Sequence, residues 1–408
     1  MSALVQKRRA TAGDIAPEAG EQDDDRVFLD EVGRFLDENL TPELQAAGRA
    51  TAGTHSNIDA CRTWHDRLYR RGWIAPAWPT AYGGTGWTPR QRLLFDRACA
   101  ERDAPVLFAG GLRNVGPILI ARGTDAQKRR YLHRILSGQD LWCQGYSEAE
   151  AGSDLAALRT RAVLQDDHYV VNGRKVWTTG AQHANRMFAL VRTSGEGKPQ
   201  EGITFLLIDM ASPGIDVRPI RTMYGEDEFN EVTFDDVRVP AANRVGAENE
   251  GWSVAKQLMN FARASNTTTG LLRRTWRMIE TLSALVAPEP AERLEMAAVE
   301  ADLIALERRE LAMAAGHHAG DSGDGAFDAS MMKILATELH QRITALGVSL
   351  AGPEAFARLA PLDAANPLPF AGIKHLATRA ATIYSGTNEI HRNVMARGLL
   401  DFGRSARG

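Results

Sequence analysis

Long apolar runs are missing from this chain of 408 residues. No stretch reaches the roughly 18 consecutive apolar residues of a bilayer-spanning helix, so membrane insertion is not expected. An excess of one charge sign is missing too. Lys and Arg number 48 against 51 Asp and Glu, a net charge of −3, which leaves no whole-chain basic field to attract nucleic acid. Cysteine is scarce: Cys61, Cys99 and Cys143 lack C-x-x-C spacing and cannot all pair within one chain, so they read as reduced, packed thiols. No secretory leader is evident, because Lys7-Arg8-Arg9 is not followed by an apolar segment, and a cytoplasmic location is the expectation. His317-His318 does not read as a metal site, since adjacent helical residues point about 100° apart and no further ligand cluster completes a set.

Apolar residues make up 44% of the chain, enough for a large core, and its length points to two or three domains. Residues 1–24 are small, polar and charged and read as a tail. Phe28, Val32, Phe35 and Leu36 then repeat at helical spacing and open an α-helical domain over residues 25–140, broken by the Pro- and Gly-rich segment 75–86. Over residues 141–245 the period changes to that of strands: Tyr169 to Trp177 reads as a hairpin around Asn172-Gly173, with further strands at Met187–Val191, Ile203–Ile208 and Val232–Val239. Helices resume over residues 246–408, where Met296, Val299, Leu303 and Leu306 share one face and Asp321 to Gly325 separates two helices.

Four segments carry more than fold. They are Trp142-Cys-Gln-Gly-Tyr-Ser-Glu-Ala-Glu-Ala-Gly-Ser-Asp154, Asn172-Gly-Arg-Lys-Val-Trp-Thr-Thr179, Phe229-Asn-Glu-Val232 and Tyr384-Ser-Gly-Thr-Asn-Glu-Ile-His-Arg392. Each is weak alone. Their conjunction in this order, within a helix–strand–helix chain, resembles the acyl-CoA dehydrogenase family from about residue 26 to residue 403. The resemblance implies a mostly α fold with a central β-barrel: an N-terminal α-domain, a middle β-domain and a C-terminal four-helix bundle, with FAD held where the barrel meets the bundle.

Residue by residue, the resemblance places Gln144, Tyr146, Ser147, Gly152, Ser153, Trp177, Thr178 and Thr179 against the flavin, an aromatic wall excluding water while N–H and hydroxyl groups polarise the ring. It places Thr387, Asn388 and Glu389 at FAD across a subunit interface, which implies a homo- or hetero-oligomer. Ser153, Thr193, Arg263 and Gly386 would contact the acyl-CoA. The Arg-x-x-Phe-Gly of many members is absent around Arg273 to Arg293.

One requirement of the family's reaction is not met. Removing a proton from the carbon α to a thioester needs a positioned general base, worth about 10²–10⁴ in rate. The two positions where the family carries that glutamate correspond here to Ala262 and Ser385. Glu148 and Glu231 lie in the motifs, but their family counterparts occur beside an intact base. Three readings follow: an FAD-dependent acyl-CoA dehydrogenase, possessing activity alone or as one subunit of a heteromeric enzyme; a non-catalytic assembly subunit; or an FAD enzyme of the same fold with other chemistry, such as an acyl-CoA desulfinase or a flavin hydroxylase. For the first, electron-transfer flavoprotein is the expected acceptor.

Overall fold

Helix α1 spans Glu21–Asn39 and buries Phe28, Val32, Phe35 and Leu36, the face its three- and four-residue spacing defines. It starts inside the segment read as a tail. The computed structural model describes residues 21–265, 269–316, 326–357 and 367–399, apart from the side chains of 21–22, 260–265, 326 and 398–399. His317-His318 and the break at Asp321 to Gly325 lie outside the described residues.

After α1 come α2 (Pro42–Arg49), α3 (Ile58–Arg71) and α4 (Pro89–Glu101). A π-helical segment, Gly110–Val115, leads into α5 (Gly116–Arg122) and then α6 (Asp125–Leu136). Local chemistry sets these boundaries. Thr88 and Thr124 accept the N–H of Gln91 and Gln127, while each glutamine side chain accepts the threonine N–H in return. Helix α3 ends on Gly72 in the left-handed region, at φ +79°.

The strands are β1 (Trp142–Gly145), β2 (Arg161–Gln165), β3 (His168–Thr179), β4 (Arg186–Arg192), β5 (Ile203–Asp209), β6 (Ile215–Ile220), β7 (Phe229–Pro240) and β8 (Arg244–Val245). They form one sheet in the order β6-β7-β3-β2-β4-β5-β8, with β1 parallel to β4. Ladder pairing among the described residues gives an open sheet where a closed barrel was expected. Its edges are β6 and the two-residue β8, which do not pair with each other, and β2 meets β4 through the single pair Arg161↔Arg192.

Asn172-Gly173 is not a turn. Strand β3 runs straight through it, and the β2–β3 hairpin turns instead at Asp166-Asp167, with Asp166 at φ +53°. The physical reason lies in the partner strand. Asn172 Nδ2 donates to Asp236 Oδ1 and its Oδ1 accepts the Asp236 N–H, both at 2.9 Å, so the asparagine brackets β7. The register slips at this point, and Gly173, at φ +143°, has room only for hydrogen, because a Cβ would lie 2.7 Å from Thr160 Cα.

Strand β4 is buried on both faces. Phe188 and Leu190 join the core under the N-terminal helices, whereas Met187, Ala189 and Val191 join the opposite cluster with Tyr169, Val171 and Val232. The remaining helices are α7 (Gly251–Ser265), α8 (Thr269–Leu285), α9 (Pro290–Ala314), α10 (Ala326–Ala351), α11 (Leu368–Thr378) and α12 (Asn388–Leu399). Val299, Leu303 and Leu306 of α9 pack against Trp276 and Ile279 of α8 and Leu339 and Ile343 of α10 in a separate core. Cys61 and Cys143 are buried, Cys99 is half-buried, and all three are free thiols.

Candidate functional site

The first group of sequence-selected residues gathers on β1, the loop after it and the end of β3. Half-buried Gln144 lies on β1, opposite Phe188. Tyr146 is a core residue: its ring meets Phe188 edge-on at 5.8 Å, burial raises its pKa, and its buried hydroxyl has no hydrogen-bond partner among the described residues. The chain then folds on itself, Glu148 and Ala151 exchanging two N–H···O bonds of 3.1 Å around Ala149-Glu150, and Gly152 and Ser153 follow exposed.

This loop is tied to β3 by Lys175. Its side chain is fully buried, and Nζ donates to Tyr146 O at 3.1 Å and to Glu148 Oε1 at 2.7 Å. Glu148 also accepts the N–H groups of Arg159 (2.6 Å) and Thr160 (2.9 Å). Burial opposes the charge on Glu148, but Lys175 and these donors outweigh it and hold the carboxyl below its ordinary range. The Val176 N–H donates to Ser147 O at 2.9 Å, completing the attachment one residue before Trp177.

Trp177 sits on a register shift between Lys175 and Thr178, at φ +60°, a conformation a bulky side chain adopts only under constraint. The shift turns the indole outward. It is 59% exposed and touches the Phe229 ring edge-on, with centroids 6.2 Å apart. Thr178 is buried with its Oγ1 unpartnered, and its carbonyl accepts from Asn230 Nδ2 at 3.0 Å; Thr179 is half-buried opposite Phe229. An outward indole, an orphaned hydroxyl and a pinned Gly-Ser loop are the parts an isoalloxazine ring would use, so the residues present fit that group.

Thr193, expected at the CoA moiety, is occupied within the protein. Its hydroxyl lies 2.6 Å from Thr204 Oγ1 and donates to Asn249 Oδ1 at 2.7 Å. The adjacent Arg192 donates to the carbonyls of Ala156 (2.5 Å) and Leu158 (3.3 Å), bracing the chain just beyond Asp154.

A second group is built on the C-terminal helices. Ser385 and Gly386 have φ +55° and +87° and are exposed. His391, buried on α12, lies 3.1 Å from Ser385 O through Nε2 and 3.1 Å from Ser330 Oγ through Nδ1. A Cβ on Gly386 would press on that imidazole at 3.0 Å. Asn388 is a buried anchor whose Oδ1 accepts from Lys333 Nζ at 2.8 Å. Thr387 caps α12 by accepting the Ile390 N–H at 3.2 Å, and Glu389 stands exposed in the first turn, where its own N–H and the Thr387 hydroxyl lower its pKa. Ala262 and Arg263 lie on α7, with side chains outside the described residues.

Both motif carboxylates have cationic partners. Glu148 is held by Lys175, and Glu231 pairs with Arg174 at 3.3 Å. Lys175, Arg192 and His391 were missed as site-building residues. In an unbroken strand Lys175 and Trp177 would share one face, so the burial of one and exposure of the other follow from a register shift that alternation does not announce. The partners of Arg192 are backbone carbonyls, and His391 meets the Ser385 carbonyl and the distant Ser330 hydroxyl.

The chain matches the acyl-CoA dehydrogenase N-terminal domain over residues 22–139, the middle domain over 143–237 and the C-terminal domain over 249–400. It is 35% identical over 389 residues to the acyl-CoA dehydrogenase IpdE1 of Mycobacterium tuberculosis, covering 93% of this chain and 98% of that one. Its fold is similar to the Tcur3481-Tcur3483 steroid ACAD, with a TM-score of 0.80 and 25% identity, covering 95% of this chain and 98% of that one. It is also similar to the ChsE4-ChsE5 complex from Mycobacterium tuberculosis, with a TM-score of 0.78, 29% identity and coverage of 96% and 99%. The chain belongs to the acyl-CoA dehydrogenase family, whose members are FAD-dependent oxidoreductases acting on CH–CH groups.

Proposed function

We propose that this chain binds FAD and works in the α,β-dehydrogenation of an acyl-CoA thioester as one subunit of a heteromeric assembly, acting on a bulky, steroid-type acyl group. One observation carries the reading: the parts fitted to a flavin are intact and braced, while both base positions hold side chains, Ala262 and Ser385, that cannot take a proton from carbon. The relatives described as a steroid ACAD and as a two-component complex support the heteromeric form and the substrate class.

In this reading Trp177 and Thr179 lie against the ring, Ser147 and Ser153 reach the ring edge and pyrophosphate, and Thr387, Asn388 and Glu389 approach the cofactor at a subunit contact. FAD, when bound, supplies the hydride acceptor. The chain's own work is to exclude water with the indole, orient the ring by the pinned loop, and offer the Ser385 backbone N–H to the thioester oxygen as negative charge develops. The domain boundaries near residues 140 and 245, closure of the sheet into a barrel around the cofactor, and electron-transfer flavoprotein as acceptor belong to the same proposal.

The loss of both glutamate positions, together with the engagement of Glu148 in a buried ion pair, favours the assembly-subunit form over autonomous catalysis. Purified alone, the chain should be colourless, or yellow without bleaching on acyl-CoA addition. Co-expression with a glutamate-bearing relative should give a yellow complex that bleaches. Full bleaching by the isolated chain would overturn the heteromeric reading, and FMN in the extracted cofactor would overturn the FAD assignment.

A further inference from the structure

Glu228 is a buried carboxylate, 7% exposed, at a point where three separately built parts of the chain meet. It immediately precedes β7. From the N-terminal helical region, Thr54 donates its N–H to Oε1 at 2.5 Å and its hydroxyl to the same oxygen; from the loop before β7, Tyr224 donates its hydroxyl to Oε2. From the C-terminal helices comes Lys374 on α11, 4% exposed, whose Nζ donates to Thr51 O at 2.9 Å and Ala52 O at 3.1 Å. The segment 51–54 is therefore held on one side by a carboxylate of the sheet and on the other by an ammonium of the helices. Ala52, Tyr224, Phe370 and Ile373 close an apolar cluster beside it.

Burying a carboxylate is costly unless its oxygens are bonded, and here donors from two regions satisfy both of them. What this bonding fixes is the first residue pairs of β7. The Glu228 carbonyl accepts the N–H of Gly180 at 2.8 Å, directly after Thr179. The next residue, Phe229, supplies the ring that meets Trp177, and Asn230 holds the Thr178 carbonyl. Every non-local contact described above for the outward Trp177 segment on this side therefore comes from residues 228–230.

We propose that Glu228 is a positioning residue for the flavin wall: by tying the start of β7 to the segment 51–54 and, across Lys374, to α11, it sets the shape of Trp177–Thr179 without touching the cofactor. This rests on the reading of Trp177–Thr179 as that wall. In the sequence Glu228 lies one position before the Phe229-Asn-Glu-Val232 segment.

The test combines hydrogen exchange on the cofactor-free chain with flavin titration of the complex, for Glu228→Ala, Glu228→Gln and Tyr224→Phe. Glu228→Ala should speed exchange at 51–56 and, selectively, at 175–180, and should weaken FAD binding by about tenfold, the effect of one lost charge-assisted hydrogen bond. Glu228→Gln keeps an acceptor for Thr54 and should restore most of both. Tyr224→Phe, which removes one donor and leaves the carboxylate, should move both readouts the same way by less, and it decides the matter if the alanine variant does not fold. Unchanged exchange at 175–180 in a folded Glu228→Ala or in Tyr224→Phe overturns the proposal, as does a rise spread evenly over the chain. If the unvaried complex binds no flavin, the flavin reading fails while the exchange data still decide whether Glu228 shapes this segment.

Discussion

Lys175 and Glu148 form a buried ion pair of 2.7 Å that joins the loop after β1 to the strand carrying Trp177. Burial alone would leave both groups neutral. The lysine is brought down to about 8 mainly by burial, while the carboxyl stays below its ordinary range because the ammonium and two backbone N–H groups converge on it. The pair converts an exposed glycine- and serine-rich loop into a fixed surface.

Removing one partner should therefore cost more than removing both. Lys175→Met leaves Glu148 buried without its cation and is expected to lower stability by about 3–5 kcal/mol, whereas Lys175→Met with Glu148→Gln should recover a large part of that. Urea unfolding of the parent, the single and the double variant checks the order. A single variant as stable as the parent would show that the pair does not brace this loop.

Trp177 predicts the opposite relation between stability and binding. Its indole is 59% exposed, so little packing is lost on truncation, and its φ of +60° is strained for any side chain but glycine. Trp177→Gly should leave the unfolding free energy unchanged or raise it by about 1 kcal/mol while weakening FAD binding, measured by thermal melts and flavin fluorescence. A tryptophan serving only the core would give a marked loss of stability instead.

These two residues also mark what could be read in the sequence and what could not. The helical face of α1 and the buried stripe of α9 follow from apolar spacing, because burial on one face leaves a period, while β4 and β5, buried on both faces, show as short continuous apolar runs. Asn172-Gly173 misled because a pair suited to a turn serves equally well at a bulge when Asn172 can bond a neighbouring strand. The packing of Tyr146 on Phe188 joins residues more than 40 positions apart in the chain and leaves no local pattern. The anchoring of Thr193 and Asn388 depends on partners brought together only by the fold.

Acid should weaken the C-terminal core through His340. The imidazole is buried against Thr275, Nε2 lying 2.9 Å from its hydroxyl, and burial, then Lys374 and Arg379, lower its pKa from 6.5 to about 3. Between those values the unfolded chain binds the proton and the folded chain does not. Stability contributed by this site is thus complete above pH 6.5 and lost as pH falls, by up to about 1.4 kcal/mol per unit. His340→Gln, which keeps a hydrogen bond to Thr275, should lose less stability than the parent between pH 7 and pH 4. Parallel acid limbs in the two proteins would contradict this.

Restoring the base tests the missing chemistry itself. A glutamate at position 262 would stand on α7, a helix that packs on the sheet and the π-helical segment, and helix-borne groups hold their geometry better than groups on turns. Ala262→Glu should therefore raise α,β-dehydrogenation of some acyl-CoA by at least about tenfold over the parent, the lower end reflecting that a general base gives about 10²–10⁴ only when well placed. Ser385→Glu should gain less, because its backbone sits at φ +55°, followed by Gly386 at +87°, and a long side chain there adds to a strained turn. The measurement is flavin bleaching by short, branched and steroid-like acyl-CoAs at matched FAD occupancy, with each variant assayed alone. Equal bleaching by the parent and both variants would mean that another group already abstracts the proton, and no bleaching by any of the three, with FAD and acyl-CoA both bound, would show that a carboxylate at neither position completes a site for dehydrogenation in the chain alone.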